Sequence, residues 1–170
     1  MKKISKLFVL PLFALSLFSC SNSSIDDVET RDYSDYVEFN SKVEDLYNHE
    51  GRYAFYVYQI NCSHCVNIKG KLFDYLDSFK AGNKTYFTNF YLCSLSPYSS
   101  EEGIKERESF KEKPSEYVSD DLIDEMIKAQ PTSIAETFFF GTPSLYIIEN
   151  KQFKTMRLGD TTIANYLATH

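Results

Sequence analysis

Residues 52–65 read RYAFYVYQINCSHC, and the rest of the chain is read outward from them. Arg52 to Ile60 is dense in aromatic and β-branched residues and apolar at both alternating sets of positions, the pattern of a strand covered on both faces. Directly after it stands Asn61-Cys62-Ser63-His64-Cys65, and from Cys65 onward Ile68, Leu72, Tyr75, Leu76 and Phe79 recur at helical spacing. The two cysteines therefore sit where a buried strand gives way to a helix.

That position has chemical consequences. A thiol at the first turn of a helix lies at the positive end of the helix dipole beside unpaired backbone N–H groups, which stabilise its thiolate. Cys62 is thus the candidate nucleophile, and Cys65, one turn on, the candidate resolving thiol of a two-electron exchange. His64, between them, adds a potential positive charge that favours the thiolate and tilts the pair towards being an oxidant; its plain alternative is a solvated loop residue. Half of a zinc site is the structural alternative for the cysteines. It needs two further ligands, and within residues 38–170 only Cys93 and His49 or His170 offer N or S outside the loop, with no second Cys-x-x-Cys. The redox reading is preferred, with no metal or other cofactor expected.

The flanks supply the remaining elements. Phe39, Val43, Leu46 and Tyr47 predict a first helix ending before Gly51. Lys84 to Leu95 predicts a strand. Within it, Cys93 reads as a small core residue rather than a third redox thiol. Residues 99–121 hold eight acids and four bases with few apolar anchors, which suggests a solvated excursion with a short helix around Ile104 to Phe110. Ser119-Asp120-Asp121 offers a cap for a helix with Leu122, Ile123, Met126 and Ile127 on its apolar face, stopped by Pro131. Phe138-Phe139-Phe140 reads as core. Ser144 to Glu149 and Phe153 to Leu158 predict a hairpin turning at Asn150-Lys151, after which Asp160 caps a terminal helix with Ile163, Tyr166 and Leu167 inward.

This order of elements, with Cys-Ser-His-Cys opening a helix and Gly141-Thr142-Pro143 leading into the hairpin, resembles the thioredoxin-like family over residues 38–170. The resemblance implies an α/β fold with a central mixed β-sheet flanked by helices, and a charged helical insertion at about 98–137 ahead of the cis-proline strand. It implies that Pro143 is cis and packs beside the dithiol, and that Thr142 offers backbone hydrogen bonds to an extended substrate segment. The Cys-Ser-His-Cys centre is closer to the Cys-x-His-Cys centres of periplasmic disulfide oxidases and isomerases than to the Gly-Pro centre of cytosolic thioredoxins. The chain departs from the family at three places. Asn61 stands where thioredoxins usually have Trp, Tyr56 where they carry a buried Asp that takes the proton of the second cysteine, and Gly70 where a helix-kinking proline is common.

The start of the chain reads as an address. Lys2, Lys3 and Lys6 precede the short apolar run Leu7 to Phe18, which is well under the roughly 20 residues that a spanning helix needs. Leu17-Phe18-Ser19-Cys20 resembles a bacterial lipobox, which implies a signal peptide over 1–19 and lipidation of Cys20. Plain cleavage nearby, with Cys20 lost or spare, is the other reading. Residues 20–37, Ser/Asp-rich and aperiodic, read as a lipid-anchored flexible tether.

Charge and composition narrow the function. The 170 residues carry a net charge of −6, and removal of residues 1–19 leaves 15 bases against 24 acids, or −9. Nucleic-acid binding is excluded, because its footprint is basic. The expected function is an extracytoplasmic thiol-disulfide oxidoreductase anchored to the bacterial cell membrane by lipid. Its partners would be exported proteins with thiols or disulfides, and a membrane or extracytoplasmic redox protein that resets the dithiol. The alternatives are a thioredoxin-fold copper-binding chaperone using Cys62, Cys65 and His64, and a non-catalytic peptide-binding accessory lipoprotein.

Overall fold

In a computed structural model, residues 29–116 and 118–170 are described. The expected signal peptide, the lipidation of Cys20 and the tether as far as residue 28 lie outside them. The elements are β1 (Arg52–Tyr58), α1 (Ser63–Lys80), β2 (Asn89–Ser94), α2 (Glu101–Glu108), α3 (Ser119–Ala129), β3 (Ser144–Glu149), β4 (Gln152–Leu158) and α4 (Asp160–Thr169). Short 3-10 turns lie at Tyr33–Phe39, Val43–Asp45 and Ile134–Glu136.

The four strands form one sheet in the order β2-β1-β3-β4. β1 runs parallel to β2 and antiparallel to β3, which is antiparallel to β4. This mixed sheet, crossed by α1 and followed by a hairpin and a last helix, is a thioredoxin-like α/β fold. β1 is central, and its period-two alternation feeds two cores. Ala54, Tyr56 and Tyr58 pack with Cys65, Ile68, Leu72, Leu76, Ile163 and Leu167 of α1 and α4. Tyr53, Phe55 and Val57 pack on the opposite face with Leu122 and Met126 of α3 and with Phe138, Phe153 and Met156.

The hairpin turns as its sequence predicts: Asn150 and Lys151 have φ of 51° and 62°. Left-handed geometry at both central residues is that of a type I′ turn, whose twist matches the strands. Past Ile147 the pairing moves from Thr155 to Phe153, so Lys154 is an extra residue in β4.

Several expectations change. The helix expected from Phe39 does not form. Phe39 belongs to the α1-side core, whereas Val43, Leu46 and Tyr47 belong to the other. Between them Asn40 bridges Leu92 at the edge of β2, and Ser41 N donates to Leu92 O at 2.9 Å. The chain rounds the sheet edge there, so a spacing that looked like one helical face is shared between two faces of the sheet.

The tether expectation is shortened. Tyr33 and Tyr36 are buried, Arg31 pairs with Asp74 and Asp77 of α1 at 2.8 Å each, and Lys69 pairs with Asp32 at 3.0 Å. Gly70 makes room for this segment, because a Cβ on it would stand 3.0 Å from the Glu29 carboxylate. Residues 29–37 are therefore packed along α1.

The acidic stretch is not a wholly solvated excursion. Phe110, in its middle, is buried against Phe139 and Tyr146, with ring centroids 5.2 and 6.3 Å away. α3 closes the second core. Ser119 is its first helical residue rather than its cap, since Val118 holds the cap position without a side-chain bond. β2 is also shorter than expected and begins at Asn89.

Candidate active site

β1 delivers the chain to the dithiol. After Tyr58 a tight turn closes with Cys62 N donating to Gln59 O at 3.1 Å, and Cys62 becomes the cap residue of α1 with extended backbone angles. Its side chain makes no capping bond, and the half-buried thiol stands at the positive end of an 18-residue helix. It lies 3.2 Å from Thr142 O, to which it donates. The Thr142–Pro143 peptide is cis. Two motifs 80 residues apart in sequence thus meet as the resemblance implied.

The Thr142–Pro143 corner is fixed from both sides. Gly141 takes φ of 116°, a conformation that favours glycine. Ser144, buried, donates through its hydroxyl to Gly141 O at 2.5 Å. Pro143 O accepts from Gly159 N at 3.0 Å, and Gly159 in turn is the cap residue of α4.

The two thiols differ. Burial works against ionisation of Cys62, but the Thr142 side chain, the Cys65 thiol and the N–H groups of Cys65 and His64 outweigh it and draw Cys62 below the usual thiol value. Cys65 is buried, and burial together with the Cys62 side chain pushes it up to about 12. Cys62 is thus shifted towards the thiolate form and Cys65 towards the thiol form.

His64 is exposed on the rim, with Nδ1 at 3.2 Å from Asp160 Oδ2 at the start of α4. The same oxygen accepts from Asn67 Nδ2 at 3.0 Å, and Oδ1 accepts from Thr161 N at 2.7 Å. Hydrogen bonds from Asn67, His64 and Thr161 hold the Asp160 carboxyl at about 2. It is therefore ionised, and the hydrogen between it and His64 belongs to Nδ1. Asp160 was expected to cap α4, but Gly159 holds that position, and Asp160, in the first turn, ties α4 to the Cys-Ser-His-Cys loop.

The insertion is linked to Gln59, at the start of the turn before Cys62, through Ser96. Ser96 O accepts from Gln59 Nε2 at 3.3 Å and from Arg107 Nη2 at 3.0 Å, while Ser96 N donates to Glu106 Oε2 at 2.7 Å. α2 lies close over Ser96 and Pro97, because a Cβ on Gly103 would stand 2.1 Å from Pro97 O.

Cys62, Cys65, His64, Thr142 and Pro143 are thus brought together. Cys93 is buried on the opposite face, where burial and then the charges of Glu106, Glu44 and Asp45 push it up to about 12. Asp160, Asn67 and Gln59 were missed by sequence reasoning, since only the folded topology carries Asp160 to His64. Among the described residues no group of three or more His, Cys, Asp or Glu side chains could hold a metal ion, and no helix is long and apolar enough to cross a membrane.

No protein-family model matches the chain, and no curated protein matches it significantly. Solved structures do resemble it. Mitochondrial thioredoxin 3 of Saccharomyces cerevisiae, in its oxidised form, is 11% identical with a TM-score of 0.41, over 79% of this chain and 98% of that one. Thioredoxin f2 of Chlamydomonas reinhardtii is 10% identical with a TM-score of 0.40, over 77% and 91%. A thioredoxin from Aeropyrum pernix is 14% identical with a TM-score of 0.38, over 82% and 81%. The fold assignment rests on the strand order and on the meeting of the dithiol with the cis-proline.

Proposed function

We propose that this chain is a thiol-disulfide oxidoreductase that works outside the cytoplasm of a bacterium, anchored to the cell membrane by a lipid on Cys20. The observation that carries the activity is the position of Cys62 Sγ, 3.2 Å from Thr142 O beside a cis Thr142–Pro143 bond, with a buried Cys65 one turn on. The anchoring reading is supported by the basic start, the short apolar run and the Leu17-Phe18-Ser19-Cys20 sequence.

In the reducing direction the Cys62 thiolate attacks one sulfur of a substrate disulfide and the other leaves as a thiolate. Cys65 then attacks Cys62, releasing the second substrate sulfur and leaving a Cys62–Cys65 disulfide, so two electrons pass from the dithiol to the substrate. The oxidising direction is the same path reversed. The substrate, an exported protein in extended conformation, lies along Thr142. A membrane or extracytoplasmic redox protein resets the dithiol and sets the direction.

The test is the reduction potential of the Cys62/Cys65 pair, measured with Cys93→Ala in glutathione buffers by trapping free thiols. A reversible two-electron couple supports the reading. A value near about −120 mV makes the protein a disulfide donor, and one near about −270 mV a reductant. Absence of any such couple, or full exchange activity in Cys62→Ser, overturns the reading. Retention of Cys20→Ala in the membrane fraction would overturn the lipid anchor.

A further inference from the structure

Behind the dithiol, on the α1 side of the sheet, stands a group of tyrosines. Tyr33 stacks on Tyr58 with ring centroids 3.8 Å apart, and the Tyr56 ring lies 5.9 Å from that of Tyr58. All three are buried in the same cluster as Cys65. The hydroxyls of Tyr33 and Tyr56 are buried; they interact with each other, but without good hydrogen-bond geometry, and have no other partner among the described residues. On the other face of the sheet the corresponding groups are satisfied. Tyr53 donates to Leu46 O at 2.7 Å, Tyr146 to Phe138 O at 3.1 Å, and Tyr47 shares a hydrogen with Thr137 at 2.6 Å.

A buried hydroxyl without a partner destabilises the fold. Here the two hydroxyls share a buried cluster with a thiol whose charge must change during the reaction. Cys65 is protonated at rest and has to become a thiolate to attack Cys62. Burial raises both tyrosines well above the ordinary phenol value, so they keep their hydrogens and act as donors. A charge on Cys65 acts on each of them more strongly than one on Cys62.

We infer that Tyr56, together with Tyr33, is a positioning residue for the resolving step: the two hydroxyls, poorly paired with each other at rest, turn their hydrogens to the Cys65 sulfur as its thiolate forms. This rests on the exchange activity proposed above. In that step Cys65 gives up its proton, which ends on the substrate sulfur that leaves. The bond between Cys62 and the substrate breaks, and the bond between Cys62 and Cys65 forms. The ionisable groups around Cys65 are Cys62, Tyr33, Tyr56 and Tyr58, with the Lys69–Asp32 ion pair on the outer side of Tyr33.

The experiment follows the reduced protein after mixing with glutathione disulfide, by acid quench and mass measurement, for wild type, Tyr56→Phe and Tyr33→Phe. The expected result for Tyr56→Phe is an unchanged rate of glutathione capture on Cys62 and a resolution rate about tenfold lower, because one hydrogen bond to a charged group is lost. Its resolution profile moves to higher pH, and its melting temperature falls by no more than a few degrees, since the lost hydroxyl had only a poorly placed partner. Tyr33→Phe behaves in the same sense and carries the test if Tyr56→Phe does not fold. Resolution at the wild-type rate and pH in both variants overturns the inference, as does equal slowing of both steps. Failure of the wild type to capture glutathione overturns the exchange reading instead.

Discussion

His64 Nδ1 and Asp160 Oδ2 stand 3.2 Å apart across 96 residues of sequence, joining the loop between the cysteines to the first turn of the last helix. The contact places a fixed negative charge beside the histidine that would otherwise act on Cys62 alone. Asp160→Asn keeps a polar partner for His64 and removes that charge. With that charge gone, this corner becomes more positive and the Cys62 thiolate more stable. The expected outcome is a Cys62 pKa lower by up to about one unit at low salt, with a smaller change at high salt, as for charges near the surface. The pH dependence of thiolate absorbance at two ionic strengths checks it, and an unchanged or higher value would refute it.

The difference between the thiols sets their reactivity. Cys62 lies below the ordinary thiol value, whereas Cys65 and Cys93 are both pushed up to about 12 by burial first. Of the three thiols, Cys62 therefore holds the largest thiolate fraction at neutral pH. Brief iodoacetamide treatment of the native reduced protein at pH 7 should therefore alkylate Cys62 at least about a hundred times faster than either other thiol. Peptide mapping after a timed quench measures this. In Cys65→Ser the same nucleophile should form a mixed disulfide with substrate that persists, for want of a resolving thiol.

The insertion can be tested through Phe110. Its ring is buried between Phe139 and Tyr146, so α2 and the acidic run are fastened to the core that α3 completes. Phe110→Ala should destabilise the whole domain by about 3–5 kcal/mol. Urea unfolding measures this. A loss below about 1 kcal/mol would show that the insertion is detachable.

These cases show where the sequence is informative. The strand at Arg52, the helix after Cys62 and the hairpin at Asn150-Lys151 were legible because each signal is local: alternation, helical spacing and a two-residue turn. The dithiol was legible because its position at a strand-to-helix junction is itself a chemical statement. Phe39 to Tyr47 misled because helical spacing records only which residues are buried, not that they are buried on opposite faces of a sheet. Phe110 hid among charges, where one aromatic decides the packing and a count of acids does not. Asp160 was visible as a helix start, but its link to His64 exists only once α4 packs beside α1.

The amino-terminal segment gives a last prediction, in the pH dependence of stability. Glu29 is held at about 2, against an ordinary 4.5, chiefly by hydrogen bonds from the Arg31 side chain and backbone, and Arg31 also reaches Asp74 and Asp77. The folded value lies below the unfolded one, so the stabilisation is complete above about pH 4.5 and is lost as the pH falls towards 2. Asp160, also held at about 2, contributes in the same sense. These groups lie at the surface, where solvent screening keeps each contribution small. Glu29→Gln should therefore lower the melting temperature at pH 7 by no more than a few degrees, and the gap from wild type should close as the pH approaches 2. Melting curves at half-unit intervals between pH 7 and 2 measure it. A constant gap over that range would mean that Glu29 acts by packing along Gly70 rather than by charge.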